Sequence, residues 1–308
     1  SRSYFKLLEM ITDFNLIDTN QNSYKYAAIA EGPGGFIECF INYRKKHFQG
    51  RNDTIQCITL KSDSNEVPNW NKAKRIFKTN NVKVNYGKDN TGNIYNTENI
   101  KYFRNSFGNN TADLVTADGG FDYSVDFNKQ EIMTCRLLFS EILSALSLNK
   151  VGGIFILKLF DIYTIITVKL LYLLNVYYDE VIITKPYTSR PANSEKYIIC
   201  KGFRGIPESN LEYLYSMLEE WNMQTKKGLY LSDISGLEIS YNYILEIYKL
   251  NLYLANKQLI NILKTTLFIK KNVSSDSILY LKKCQTIYAI EWCKKYKNSL
   301  NMNCSFLH

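Results

Sequence analysis

Histidine is almost absent: of two in 308 residues, one is the terminal His308, which leaves only His47 inside the chain. A serine–histidine–aspartate triad and a histidine-rich zinc site are therefore poor candidates for the chemistry. The seven cysteines (Cys39, Cys57, Cys135, Cys200, Cys284, Cys293, Cys304) are odd in number and contain no C-x-x-C pair. That argues against a disulfide framework or a zinc knuckle; it points to buried thiols acting as small hydrophobes in a reducing, intracellular setting. Long apolar runs are missing too. The most apolar stretch, Val151–Tyr178, is interrupted by Lys158, Asp161 and Lys169, and a membrane span would have to bury those charges. A core strand followed by a core helix fits it better, and no membrane association is expected. Ser1–Met10 is polar and basic, unlike a signal peptide, and the chain opens inside a helical pattern without a methionine, as a fragment would.

The chain does have a globular composition, 45% hydrophobic and 22% charged, with a net charge of +9. The positive excess suits a polyanionic partner such as nucleic acid. From about Tyr24 to Phe203 short apolar runs alternate with helical patterns, the signature of a parallel sheet with crossover helices. The predicted strands are Tyr26–Ala30, Thr54–Leu60, Val82–Asn85, Asp113–Ala117, Gly153–Leu159, Glu180–Thr184 and Lys196–Gly202. The predicted helices are Ser3–Thr12, Gly35–Lys46, Thr97–Asn105, Asn128–Leu148 and Tyr163–Asn175. Seven strands in that order predict an α/β, doubly wound, Rossmann-like fold. All five prolines lie at or before Pro207, and the remainder of the chain reads as helices over Asn210–Met223, Glu238–Lys270 and Ser275–Lys297. The expected division is therefore an α/β domain over 1–206 and a helical extension over 207–308.

The chemistry-bearing residues sit at strand ends. The first strand runs into Glu31-Gly32-Pro33-Gly34-Gly35-Phe36. Glycines there permit close approach of a ligand to the backbone, and they equally suit a plain strand-to-helix turn. The spacing is neither G-x-G-x-x-G nor a phosphate-binding loop, which favours a smaller adenosine ligand over a dinucleotide or a nucleoside triphosphate. The fourth strand ends at Asp118-Gly119-Gly120-Phe121, placing an acid where parallel sheets bind ligands, or alternatively where it caps a turn. Lys158 lies inside an apolar strand, where it must be partnered with a carboxylate or be functional. The turn Lys185–Tyr197 contains two prolines with Ser189, Arg190, Asn193, Ser194 and Glu195.

Taken in order, Ser1-Arg2-Ser3-Tyr4-Phe5-Lys6-Leu7, the G-P-G-G-F loop, D-G-G-F, Lys158 and T-S-R-P-A-N-S-E-K-Y resemble the FtsJ-like RNA 2′-O-methyltransferases. The likeness is above all to the messenger-RNA cap-1 branch, cellular and large-DNA-virus forms alike, and it covers roughly Ser1–Phe203. It implies a seven-stranded sheet that binds S-adenosylmethionine and a Lys-Asp-Lys-Glu catalytic set at Lys6, Asp118, Lys158 and Glu195, with no metal required. Lys158 would then be either the base for a ribose hydroxyl or the group that orients it.

By the same resemblance, Glu31, Gly32, Pro33, Gly34, Gly35 and Phe36 would cradle the methionine part of the cofactor. Thr59, Leu60, Asp89, Gly92, Asn93 and Ile94 would hold the adenosine, and Asp118 would also contact the cofactor. Arg2, Lys185, Ser189, Arg190 and Asn193 would contact RNA. Asp126 would pair with a methylated guanine, and Tyr123 or Phe127 would stack on a base. The implied partners are capped mRNA and, through the C-terminal helices, a capping enzyme or polymerase. Methylation of ribosomal or transfer RNA, and a non-catalytic RNA-binding subunit, remain the alternatives. The match to large-DNA-virus forms implies a cytoplasmic viral protein; a cellular form would be nuclear.

Overall fold

Alternation of apolar residues along short β-branched runs gives seven strands, whose sheet is covered by helices on both faces. The computed structural model describes residues 1–48, 52–61, 76, 82–120, 129–229, 231, 233–270 and 274–305. In chain order the elements are α1 (Arg2–Asp13), β1 (Lys25–Ile29), α2 (Gly35–His47), β2 (Thr54–Ile58), β3 (Val82–Asn85), α3 (Thr97–Phe107), β4 (Ala112–Ala117) and α4 (Gln130–Leu148). They continue with β5 (Asn149–Leu159), α5 (Ile165–Tyr177), β6 (Tyr178–Thr184), β7 (Lys196–Phe203), α6 (Glu208–Lys226), α7 (Tyr241–Lys270) and α8 (Ser275–Lys295). The sheet order is β3-β2-β1-β4-β5-β7-β6. The order reverses between β1 and β4, which opens a crevice at the carboxyl ends of those two strands.

Successive strand residues face opposite sides. Ala27, Ile29, Val115, Leu157 and Ile198 pack with α3–α6, whereas Tyr26, Ala28, Leu114, Ile156 and Tyr197 pack with α1 and α2. Helix α1 begins with the Ser1 hydroxyl accepting from the Ser3 amide, and buries Leu7, Leu8, Met10 and Ile11. The fold class is thus the α/β doubly wound sheet expected from the sequence.

One strand departs from the expected parallel arrangement. β7 runs antiparallel to both β5 and β6, with Lys158 opposite Tyr197. Only eleven residues, Lys185–Glu195, separate β6 from β7, and they carry no crossover helix of the kind that a parallel return needs. The consequence is functional: an antiparallel β7 starts at the carboxyl edge of β5, so Glu195 arrives beside Lys158. A parallel β7 would begin at the opposite edge.

Strand β5 also starts earlier than the glycine pair suggested, because Asn149 already pairs with Ala112 before a register shift. The hydrophobic core crosses the expected 206/207 division: α6 buries Leu211, Leu214, Tyr215, Leu218 and Trp221 in the same cluster as the sheet. Helix α7 is mostly exposed, with Ile247 buried, and Tyr296 at the end of α8 is buried against the α1 side of the sheet. All seven cysteines are free, and Cys39, Cys57, Cys135 and Cys200 are buried. Among the described residues no helix is long and apolar enough to cross a membrane.

Candidate active site

Strand register gathers the polar ends in one place. Ile29 pairs with both Ile58 and Ala117, and Ala117 pairs with Leu157, so the segments that leave β1, β2 and β4 start level with Lys158. Ala30, at φ 50°, takes the left-handed conformation and turns the chain sharply after β1. Glu31 then points inward and is 2% exposed. Its Oε1 accepts from the Phe36 amide at 3.3 Å. Its Oε2 is buried and has no hydrogen-bond partner among the described residues. Burial, reinforced by the nearby Asp118 charge, pushes the Glu31 carboxyl up to about 8.

Four side chains from distant points of the sequence meet beyond this turn. Lys6 Nζ lies 2.7 Å from Glu195 Oε1. Lys158 Nζ lies 3.2 Å from Asp118 Oδ1 and donates to the Asp118 carbonyl at 2.7 Å. The Lys158 side chain is 13% exposed. Burial pulls its ammonium down, but the charges of Asp118, Glu195 and Glu141 together outweigh that and hold it above the ordinary lysine value. For Glu195 burial acts upward, and the Lys6 ammonium and the Ser189 hydroxyl prevail, leaving the carboxyl below its usual range. All four residues of the expected Lys-Asp-Lys-Glu set therefore share one cleft as two ion pairs.

Sequence reading missed three residues that frame this cleft. The Tyr197 hydroxyl donates to Asp118 Oδ1 at 3.0 Å. Glu141, on α4 and 2% exposed, accepts from the Gly119 amide at 3.1 Å, and burial pushes it up to about 8 against the pull of Lys158. Glu9, on α1, accepts the backbone amides of Tyr187 and Thr188. The available signal for Glu9 and Glu141 was a lone acid within an apolar helical stripe.

The cofactor-side residues divide. Gly92 has φ +70°, and a Cβ there would lie 1.6 Å from the Thr59 carbonyl oxygen, so only glycine lets the 86–96 loop cross the end of β2 at Thr59 and Leu60. The Lys61 amide donates to the Thr91 carbonyl at 2.7 Å and seals that crossing. Asp89 accepts from Thr91, Asn96 and Asn99, which hold its carboxyl well below the usual range and make it an organiser of its own loop. The Asn93 Oδ1 accepts from the Tyr95 amide. Phe36 and Ile94 are buried core residues.

Of the expected RNA contacts, Arg2 and Arg190 are exposed. Lys185 is not presented outward: its ammonium donates to the Asn193 and Glu195 carbonyls and to Asn193 Oδ1, and burial pulls it down to about 8. Ser189, 3% exposed, donates to Glu195 Oε1 at 2.8 Å and so positions a carboxylate. Asp126, Tyr123 and Phe127 lie outside the described residues.

The model of the FtsJ-like methyltransferase family matches residues 1–203, a span that includes all four charged residues and both glycine turns. The chain is 30% identical over 270 residues to the Caenorhabditis briggsae cap-specific mRNA (nucleoside-2′-O-)-methyltransferase 1A, covering 84% of this chain and 30% of that protein. It is 38% identical over 201 residues to the Mus musculus cap-specific mRNA (nucleoside-2′-O-)-methyltransferase 1, covering 62% and 23% respectively. A Caenorhabditis briggsae protein named as the inactive cap-specific enzyme 1B is 28% identical over 84% of this chain and 31% of its own length. The chain spans between 23% and 31% of the length of these relatives. With the family match running through the whole charged cleft, the chain belongs to the FtsJ-like methyltransferase family.

Proposed function

We propose that the protein transfers a methyl group from S-adenosylmethionine to a ribose 2′-hydroxyl of RNA, the substrate being the first transcribed nucleotide of capped mRNA. One observation carries this reading: Lys6, Asp118, Lys158 and Glu195 converge as two adjoining ion pairs at the carboxyl ends of β4 and β5, beside the crevice between β1 and β4. The cap assignment is supported by the names of the curated relatives.

The cleft suits S-adenosylmethionine on its own chemistry. A buried carboxyl with one unpartnered oxygen, Glu31, matches the ammonium of the methionine part. The Gly92 crossing, with Thr59 and Leu60, offers backbone to the adenosine, and Asp89 and Asn93 shape the loop that would hold it. When bound, the cofactor supplies an electrophilic methyl group on a sulfonium. Lys158 enters the reaction protonated, since the carboxylates around it raise its affinity for the proton. Its ammonium therefore orients the hydroxyl oxygen and offsets the negative charge that develops there as the methyl group arrives and the hydroxyl proton passes to water. Asp118 fixes Lys158 from one side, and Tyr197 fixes Asp118. Lys6 and Glu195 close the other side, with Ser189 holding Glu195. Arg2 and Arg190 would bind phosphates and position the RNA without reading its sequence.

Methyl transfer from labelled S-adenosylmethionine to matched capped and uncapped RNAs tests the reading. Transfer to capped RNA is expected, with Lys158→Ala lowering kcat by about a hundredfold or more, as for loss of a preorganised charge donor. Equal transfer to uncapped RNA would move the substrate to another RNA class. RNA binding without any transfer would support a non-catalytic subunit.

A further inference from the structure

The C-terminal helix reaches the same arm of the site that carries Glu195. On α1, Phe5, Glu9 and Asp13 recur every fourth residue and so form one stripe, and Lys6 is the neighbour of Phe5. The last turns of α8 lie along that stripe. The Trp292 ring packs edge-on against Phe5 at 5.4 Å, and its indole Nε1 donates to Glu9 Oε1 at 2.8 Å. The Tyr296 hydroxyl donates to Asp13 at 2.8 Å, and Lys295 pairs with the same carboxylate at 3.0 Å. Lys295 also sits 5.6 Å from the centre of the Tyr187 ring.

Glu9 is what makes this contact more than docking. It is 2% exposed and accepts three N–H groups from two distant segments: the Tyr187 and Thr188 amides and the Trp292 indole. Thr188 is followed by Ser189, whose hydroxyl holds Glu195 Oε1, the atom that pairs with Lys6. A buried carboxylate satisfied by several donors is rigid, and removing one donor loosens the whole group. A path of direct contacts thus runs from Trp292 through Glu9 and the 187–189 backbone to Glu195 and back to Lys6.

We propose that Trp292 is a positioning residue, whose indole N–H, acting through Glu9, fixes the 187–189 backbone and with it the Lys6–Glu195 pair. The C-terminal helix is thereby a working part of the site. The proposal rests on the catalytic role proposed for that pair.

The test uses the full chain with Trp292→Phe, which keeps a ring against Phe5 but removes the donor. Amide hydrogen exchange at Tyr187 and Thr188 is expected to quicken by about tenfold or more, the equivalent of one charge-assisted hydrogen bond. The kcat for methyl transfer should fall by about tenfold while S-adenosylmethionine affinity stays within about twofold, because the chain of contacts ends at Lys6 and Glu195, which pair with each other and not with Glu31. The pair Glu9→Gln and Trp292→Phe should be non-additive, the double variant being no slower than Glu9→Gln alone. Unchanged exchange and kcat in Trp292→Phe would overturn the proposal, as would an effect that adds to that of Glu9→Gln. Should Trp292→Phe fold poorly, Asp13→Asn loosens the same turn from its exposed rim, and a failure to quicken exchange at 187–188 would count against the proposal. Lys158→Ala separates the two readings: it should lower transfer by about a hundredfold or more without altering that exchange. If the wild type transfers no methyl group, the exchange measurements still decide whether Trp292 holds the loop.

Discussion

Glu141→Gln should make the protein more resistant to alkali, by an amount that the environment of the side chain fixes. Glu141 is 2% exposed on α4, and its Oε1 accepts from the Gly119 amide. In the folded protein burial pushes its carboxyl up to about 8, from an ordinary value of 4.5. A carboxyl raised on folding contributes its stability fully below the unfolded value and loses it as pH rises to the folded one. Between pH 6 and pH 8 the unfolded chain has released this proton while the folded protein still holds it. Each pH unit weakens folding by about 1.4 kcal/mol until the folded group itself begins to ionise near pH 8, so the wild type loses about 2 kcal/mol through this one residue. Glutamine has no proton to lose and keeps a carbonyl for the Gly119 amide.

The stability difference between Glu141→Gln and the wild type should therefore widen by about 2 kcal/mol from pH 6 to pH 8, then level off. Glu31 is also raised to about 8, and it acts on both proteins alike, so it cancels in the comparison. Urea unfolding at pH 6, 7, 8 and 9, followed by circular dichroism, measures the difference directly. Stability curves that run parallel across this range would refute the reasoning, since they would mean that Glu141 is already ionised in the folded cleft.

The cofactor side gives two further expected outcomes. A cationic ligand group beside Glu31 favours the ionised carboxyl, so S-adenosylmethionine binding should release a proton below pH 8 and tighten as pH rises from 6 to 8. Glu31→Gln should lose that contribution, as titration calorimetry in two buffers of different ionisation enthalpy will show; equal proton release by the two proteins would count against the Glu31 contact. At Gly92, any Cβ collides with the Thr59 carbonyl in a left-handed backbone, so Gly92→Ala should lower stability by about 2–4 kcal/mol. It should also weaken cofactor binding, and a melting temperature equal to that of the wild type would contradict the crossing.

The charged residues were legible in two ways: three of them stand out locally, and Lys6 and the grouping of all four came only through the family resemblance. Lys158 interrupts an apolar strand, Asp118 and Glu195 stand at strand ends, and Lys6 lies within an ordered motif. The strands were legible from their alternation. The direction of β7 was not read, although the signal was present: eleven residues between β6 and β7 cannot hold a crossover helix. Lys185 looked like a phosphate ligand because composition reports charge but not direction. Only the folded loop shows its ammonium turned onto the Asn193 and Glu195 carbonyls. The role of Glu9 depends on partners 178 and 283 residues away, a separation over which local pattern carries no information.

The protonation of the two buried acids bears on how the cleft can receive ligands of both signs. Lys6 and Lys158 face Asp118 and Glu195, two cations against two anions. Ionised Glu31 and Glu141 would add two further negative charges in a region shielded from water, which would repel RNA. With both carboxyls raised to about 8, they remain largely neutral at pH 7 and the four-charge set stays balanced. A positively charged cofactor can then be met by ionising Glu31 alone, while Glu141 keeps its proton and its bond to Gly119. The same balance keeps Lys158 protonated, because its proton is held chiefly by the charges of Asp118 and Glu195. A base at Lys158 would need those carboxylates removed or neutralised, whereas an orienting ammonium needs them where they stand.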